Sequence, residues 1–430
     1  MSDYLKRIKI FAIALALPIL LYNFFTAESM KYDIGGDAYD YVSLGVSLAK
    51  IQKYGHLSFD DGLINELQKD TISQKNYEFA GHSTWRPPVW PILIAGVFLI
   101  SGYSLTNIII FKFLLHLLGI FIFYRMLKLL KFHGLGLIIG TFLYAVSPAW
   151  QLYSRVFLSE PITFFLITLW IYMLLRHYQK GTVFLWQAIV AGILILSHPY
   201  FLFLPFSVWI VLFLQRKFAL KKVIISSFIA TCIIFSWIVR NFYVLDTNEF
   251  VLTTSSGAVL AKGWNGEVIK NHTNTKGDLA DETLVLADYN FDRSKRYNEV
   301  EKMQLYKNAT LDFIRKNPHL ILPIVSTKIK SAFNPFPETP RPGILEIGRW
   351  GFQFLALLSL LYIFVFLGNP LVKSLAWGLV ISTIGITVIT YSGFRFRMPQ
   401  VGLELLLIVY AVNDLGKRVK SKAIQNNKVK

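Results

Sequence analysis

Across 430 residues, 54% are hydrophobic and only 16% charged, and the mean hydropathy is +0.47. That leaves too little polar surface for a soluble globule of this length, so the chain reads as a polytopic membrane protein. The net charge of +18 does not point to nucleic acid, because the basic residues fall mostly in short loops and in the tail Lys417–Lys430, the pattern that reports orientation and anionic lipid headgroups.

The first apolar run, Ile8 to Phe25, follows Lys6, Arg7 and Lys9 and has no small-residue cleavage site after it, which predicts a retained span. Further runs of spanning length occur at about 105–127, 134–150, 159–177, 182–198, 199–215, 222–240, 350–368, 371–391 and 398–414. The run Pro87–Gly102 is apolar but short. If it stays at the interface or re-enters, the basic segments 125–133, 176–180 and 216–222, the loop with Lys373 and the tail all share one side, and charge bias makes that side cytoplasmic. The expectation is an all-α fold of about ten transmembrane helices plus one interfacial or re-entrant helix, with both termini cytoplasmic. It divides into a membrane module 1–240 with a first outer loop 26–86, an outer segment 241–349, C-terminal transmembrane helices 350–416 and a basic tail 417–430. The lone Cys232 lies in an apolar run and excludes a disulfide within the chain.

This topology puts Asp37, Asp40, His82, Arg86, Arg155, Glu160, His198, Arg240, Asn241, Arg395 and Arg397 on the outer side. Any one of them reads as a helix anchor or a snorkelling charge, whereas their convergence on one face points to a site. The turn Gly35-Gly36-Asp37-Ala38-Tyr39-Asp40-Tyr41 carries two carboxylates suited to proton transfer. Capping of a helix starting near Tyr41 is the competing role. That helix, about Tyr41 to Tyr54, has little charge among its apolar residues and is expected to lie along the membrane surface, broken by Gly55 and by Asp60-Asp61-Gly62. Arg86-Pro87-Pro88 opens the short apolar helix. The outer segment is long enough for a small core, and it returns through Pro335, Pro337, Pro340 and Pro342. It has no metal-ligand spacing, phosphate loop or repeat.

Five stretches in this order resemble the GT-C superfamily of membrane glycosyltransferases, in the bacterial branch related to dolichyl-phosphate-mannose protein mannosyltransferases and lipid A aminoarabinose transferases. They are GGDAYDYVSLGVSLAK, STWRPPVWPILIAG, RVFLSEPITFFL, FSWIVRNFYVLDTNEFVLTTSSGAVLAKGWNG and GFRFRMPQVGLELLLIVYA. The resemblance implies a polyprenyl-phosphate-linked sugar donor, an acceptor that is a glycan, lipid or protein, and transfer at the outer face of the cytoplasmic membrane. Asp37 resembles the family's catalytic acid, with Tyr41 in the aromatic position that follows. Ala38 stands where the family often has a second acid, which leaves the part of Asp40 open. Glu160 resembles the acid of the Ser-Glu-Pro step, Arg240-Asn241 the Arg-Asn step, and Arg395 and Arg397 the basic pair before the last span.

On this reading, arginines hold the leaving phosphate, since a planar guanidinium engages two oxygens and stays charged near lipid. Arg240, Arg395 and Arg397 come first, then Arg86 and Arg155. Asp37 takes the acceptor's proton, and direct displacement inverts the anomeric centre. His82 and His198 are candidates for a phosphate oxygen or sugar hydroxyl. No cofactor is expected; some superfamily members gather a divalent cation, but nothing in the spacing of Asp37, Asp40 and Glu160 requires one. A surface-polysaccharide polymerase or ligase and a flippase for a lipid-linked saccharide are the alternatives. The scarcity of charges at mid-span and the absence of a detectable repeat disfavour transport.

Overall fold

A computed structural model describes residues 17, 35–57, 63–69, 72, 77–147, 150, 153–245, 247, 249–271, 277, 279–336 and 344–429. The expected span 8–25 apart from residue 17, the Asp60-Asp61-Gly62 break and Pro337, Pro340 and Pro342 lie outside them. Among the described residues the regular structure is helical apart from one short antiparallel hairpin, β1 (Gly55–Leu57) with β2 (Phe79–His82).

In chain order the helices are α1 (Asp37–Ile51), α2 (Leu63–Gln68), α3 (Val89–Ser101), α4 (Leu105–Leu129), α5 (Gly134–Ala145), α6 (Glu160–Lys180), α7 (Phe184–Ser197), α8 (Phe203–Leu214) and α9 (Leu220–Val244). Then come α10 (Ser256–Gly263), α11 (Val268–Asn271), α12 (Glu299–Lys316), α13 (Ile321–Phe333), α14 (Ile344–Phe366), α15 (Pro370–Ile389), α16 (Phe394–Arg397) and α17 (Val401–Val429).

Among the described residues, six helices are long and apolar enough to cross a membrane: Leu105–Leu129, Glu160–Lys180, Leu220–Val244, Ile347–Phe366, Pro370–Ile389 and Phe394–Ser421. The protein is therefore a multi-pass membrane protein. The runs expected to span at 134–150, 182–198 and 199–215 form shorter apolar helices, as does Val89–Ser101. A hydrophobic run measures where water is excluded, whereas a helix ends where local signals stop it. His198 in extended conformation before Pro199, for example, divides α7 from α8.

Small residues let the helices approach. A Cβ on Gly378 of α15 would lie 2.1 Å from Val208 of α8, and one on Gly192 of α7 would lie 2.8 Å from Ile233 of α9. Helix α1, expected to lie along the membrane surface, is packed among other elements of the chain, with Tyr41, Val42, Leu44, Gly45, Val46 and Ala49 all buried. Gly45 permits this, since a Cβ there would meet Ile94 of α3 at 2.4 Å. With few charges to keep any side of α1 in water, α3 and its neighbours cover most of it.

The polar segment 245–336 carries two small apolar clusters of its own, one around Ala261, Val285, Leu286 and Ala309 and the other around Trp264, Val268 and Ile324. It is fastened to the end of α15. Trp264 Nε1 donates to Ile389 O at 2.9 Å, and buried Lys328 donates to Val388 O and Thr390 O, each at 2.9 Å. These bonds satisfy carbonyls that a helix end leaves without partners.

Candidate active site

Helix α1 starts at Asp37, four residues before the expected start. Its N-cap is Gly36 at φ 55°, and no side chain caps it. The two carboxylates are thus not spent on the helix end. Arg86 donates to Asp37 Oδ1, and through Nε and a terminal nitrogen to Asp40 Oδ2 at 2.9 and 2.8 Å. Arg395 donates to Asp37 Oδ2 at 2.6 Å and, through Nε, to Glu160 Oε1. Acid and guanidinium therefore alternate along Asp40, Arg86, Asp37, Arg395 and Glu160, contributed by α1, the Ser83-to-Pro88 turn, α6 and α16.

Sequence-local devices aim these groups. Pro87-Pro88 ends the turn that carries Arg86, and the Tyr54 hydroxyl donates to Arg86 O at 3.0 Å. Pro161 occupies the first turn of α6, where a missing N–H costs nothing, so Glu160 sits at the helix's positive end. Gly393 in extended conformation precedes α16, so Arg395 lies in the first turn of the helical run Phe394–Ser421.

Asp37, Tyr41, Trp85, Arg86, His198 and Arg395 line a cavity of about 510 Å³. The polar segment contributes Thr253, Ser255, Ser256, Lys262, Glu282 and Lys307 to the same lining, together with apolar residues such as Val259 and Leu311. Burial disfavours the Asp37 charge, but Arg86 and then Arg395 outweigh it and hold the carboxyl below its usual range. For Asp40 burial wins. Arg86 offsets only part of it, the Asp37 charge adds to it, and the carboxyl is raised. Burial pushes the Tyr41 hydroxyl up to about 12; it shares a hydrogen bond of 3.2 Å with Ser159, and the Arg86 guanidinium lies 5.6 Å from its ring centre.

Two buried atoms at this site find no hydrogen-bond partner among the described residues: Glu160 Oε2 and His198 Nδ1. Each is the sort of group that a bound ligand or water satisfies.

The remaining candidates are placed elsewhere. Arg240 donates to Ser83 O at 3.3 Å and Tyr54 O at 2.9 Å, and stacks on the Trp237 ring at 4.8 Å. Asn241 donates to Val251 O and Leu252 O. The Arg-Asn pair therefore shapes the loop whose next residues line the cavity, without lining it themselves. Arg397 is buried against Glu404 and Ala332 O. His82 is exposed on the hairpin, and Arg155 lies off the cavity.

Glu299 escaped notice in the sequence. It accepts from Ser83 Oγ at 2.6 Å, Thr84 N at 3.1 Å, Thr254 Oγ1 at 2.8 Å and His56 at 2.6 Å, and so joins the polar segment to the turn that carries Arg86. The capping box Asn298/Glu301 announces the helix start it occupies, but its partners His56, Ser83 and Thr84 are more than 200 residues away in sequence. Among the described residues, no group of three or more His, Cys, Asp or Glu is placed to hold a metal ion.

Residues 85–239 match the family described as dolichyl-phosphate-mannose-protein mannosyltransferase. No curated protein sequence matches the chain significantly. Two solved structures are similar to it. The archaeal oligosaccharyltransferase AglB from Archaeoglobus fulgidus, in complex with an inhibitory peptide and a dolichol-phosphate, aligns at 12% identity and a TM-score of 0.44, over 96% of this chain and 52% of that one. ArnT from Cupriavidus metallidurans bound to undecaprenyl phosphate aligns at 12% identity and a TM-score of 0.38, over 92% of this chain and 77% of that one. The chain thus spans about half the length of the oligosaccharyltransferase. The family similarity therefore covers residues 85–239 of the 430-residue chain, the part that runs from within the Ser83-to-Pro88 turn into α9.

Proposed function

We propose that the protein is an inverting glycosyltransferase that moves a sugar from a polyprenyl-phosphate donor to a hydroxyl acceptor at the outer face of the cytoplasmic membrane. The observation that carries this reading is the wall formed by Asp37, Arg86 and Arg395 in one cavity. A base and two phosphate-binding groups reach the same space from three separate elements. The description of the matched family, which names a dolichyl-phosphate-linked mannose, supports a lipid-phosphate donor.

Before the donor arrives, both arginines are engaged by carboxylates, and Asp37 is a poor base. A phosphodiester entering the cavity competes for their N–H groups, because a phosphate is as good a partner for guanidinium as a carboxylate. As Asp37 loses positive neighbours its proton affinity rises, so donor binding itself readies the base. The acceptor oxygen then forms the new bond to the anomeric carbon while its proton passes to Asp37. The bond from that carbon to the phosphate oxygen breaks, and its electron pair leaves with the phosphate, whose charge Arg395 and Arg86 stabilise. Asp40 and Glu160 keep the two arginines in place between turnovers.

The test is transfer of labelled sugar from synthetic polyprenyl-phosphate donors by purified full-length protein, compared with Asp37→Asn. Transfer that disappears in a folded variant supports the reading. Transfer that persists in the variant removes Asp37 as base, and no cleavage of any donor by the wild type overturns the reading.

A further inference from the structure

We infer that His198 is a specificity-determining residue that pairs with one ring hydroxyl of the transferred sugar. This rests on the sugar-transfer reading above and adds how the donor's sugar is recognised.

His198 lies on the lining of the same cavity as Asp37, Arg86 and Arg395, yet its ring takes no part in the chain of acids and guanidiniums. Aromatic packing holds it instead. The imidazole stands edge-on to Phe396, Phe201 and Tyr200, with ring centres 5.3, 5.7 and 6.2 Å away. Nδ1 is buried without a hydrogen-bond partner among the described residues, a state that costs free energy which a bound group recovers. Buried His116 makes a useful contrast. Its Nε2 is bonded to Ala145 O at 2.9 Å and its ring stacks on Trp150, away from the cavity, so its role is packing.

The position of His198 is set by its backbone. It is extended ahead of Pro199, the conformation that a residue before proline prefers. Its neighbour Ser197 shares a hydrogen bond of 3.0 Å with Thr163 Oγ1, which donates to Ser159 O at 2.8 Å, and the Ser159 hydroxyl shares one of 3.2 Å with Tyr41. The strand of chain that carries the imidazole is thereby tied to α6, which carries Glu160, and to α1, which carries Asp37. A group held in this way meets a ligand at low entropic cost.

Its surroundings decide what it binds. A proton on the ring is disfavoured by burial and then by Arg395; Asp37 opposes this and Arg86 adds to it, so the imidazole is neutral. A neutral imidazole has one donor and one acceptor nitrogen. A phosphate oxygen only accepts, and the two guanidiniums offer it stronger, charge-assisted bonds. A sugar hydroxyl both donates and accepts, so it pairs with the imidazole in either tautomer. With the phosphate at Arg86 and Arg395 and the anomeric carbon between it and Asp37, the sugar ring falls among the same three side chains whose charges reach His198.

The experiment uses purified full-length protein. From a panel of polyprenyl-phosphate-linked hexoses and pentoses, the donor that wild type binds most tightly is compared with its monodeoxy analogues and with sugar-free polyprenyl phosphate. Binding is read without acceptor by tryptophan fluorescence, since Trp85 lines the cavity, and transfer of labelled sugar is followed in parallel. In wild type, removal of one particular hydroxyl is expected to raise Kd about 10²-fold. The same removal is expected to change Kd less than about threefold in His198→Leu, and about tenfold in His198→Asn, whose amide takes the place of Nδ1. Affinity for sugar-free polyprenyl phosphate is expected to be equal in all three proteins, whereas a merely structural role would weaken every ligand alike. Absence of a hydroxyl preference in wild type, the same preference in His198→Leu, or an equal loss of affinity for sugar-free polyprenyl phosphate overturns the inference. The expected binding pattern in a protein that transfers no sugar supports it and overturns the transfer reading instead; transfer without a hydroxyl preference does the reverse.

Discussion

Two acid–arginine assemblies lie on either side of the Ser83-to-Pro88 turn, and they use the same residue types for opposite ends. In the first, Arg86 and Arg395 give their N–H groups to carboxylates on the wall of a cavity. In the second, Arg240 gives its N–H groups to the carbonyls of Ser83 and Tyr54, while Glu299 accepts from two hydroxyls, a backbone N–H and His56. Backbone groups cannot leave, so an arginine bound to them is a fixture. A carboxylate that shares its arginine with an open cavity can give that arginine up to a phosphate. On the proposed mechanism, a working charge differs from a structural one in whether its partner can be exchanged, since the charge itself is the same.

Substitution can break this contrast at several strengths. The largest effect is expected for Asp37→Asn, which keeps shape but cannot take a proton. Sugar transfer should fall about 10³-fold in a protein that still elutes as folded, within the range for loss of a general base. A rate within threefold of wild type, measured with labelled donor, would move the base elsewhere in the cavity.

Arg395→Lys comes next. A lysine keeps the charge but has no planar fork to reach Asp37 and Glu160 together, so kcat should fall about 10²-fold. Arg240→Lys provides the matching control on the other assembly. Losing the fork that holds two carbonyls should cost about 1–3 kcal/mol of stability, read as a lower unfolding midpoint, while activity per folded molecule changes less than in Arg395→Lys. Equal losses of activity in the two variants would erase the distinction between them.

The smallest effect concerns pH at the Glu299 assembly. The hydrogen bond to Glu299 raises His56 above 6.5 despite burial, so its contribution to stability is full below about pH 6.5 and fades as pH rises through the raised value. Burial works against the Glu299 charge, but the bonds from His56, Ser83, Thr84 and Thr254 outweigh it and lower the carboxyl below 4.5. Its contribution is full above about pH 4.5 and fades as pH falls through the depressed value. The assembly should therefore be firmest between about pH 4.5 and 6.5. His56→Gln should flatten the upper edge of that window in thermal unfolding while leaving the lower edge in place. Because His56 is half exposed, solvent screening keeps the change modest.

The sequence determined the membrane character and the places of most helices, because both follow from local composition and from apolar runs that water rejects. It also singled out Asp37, Arg86, Glu160, His198 and Arg395, whose neighbouring glycines and prolines mark sharp changes of backbone direction. It could not separate Arg395 from Arg240 or Arg397, since all three stand beside apolar helices in similar surroundings. Nor could it find the Glu299 assembly or place Ser255, Lys262, Glu282 and Lys307 on the cavity lining, because both depend wholly on what these residues face. The burial of α1 was likewise decided in three dimensions, by Gly45 admitting Ile94. A periodic pattern records which residues avoid water; which charge meets a carboxylate, a carbonyl or an open cavity depends on contacts between segments as far apart as Asp37 and Arg395, and only the folded chain brings those together.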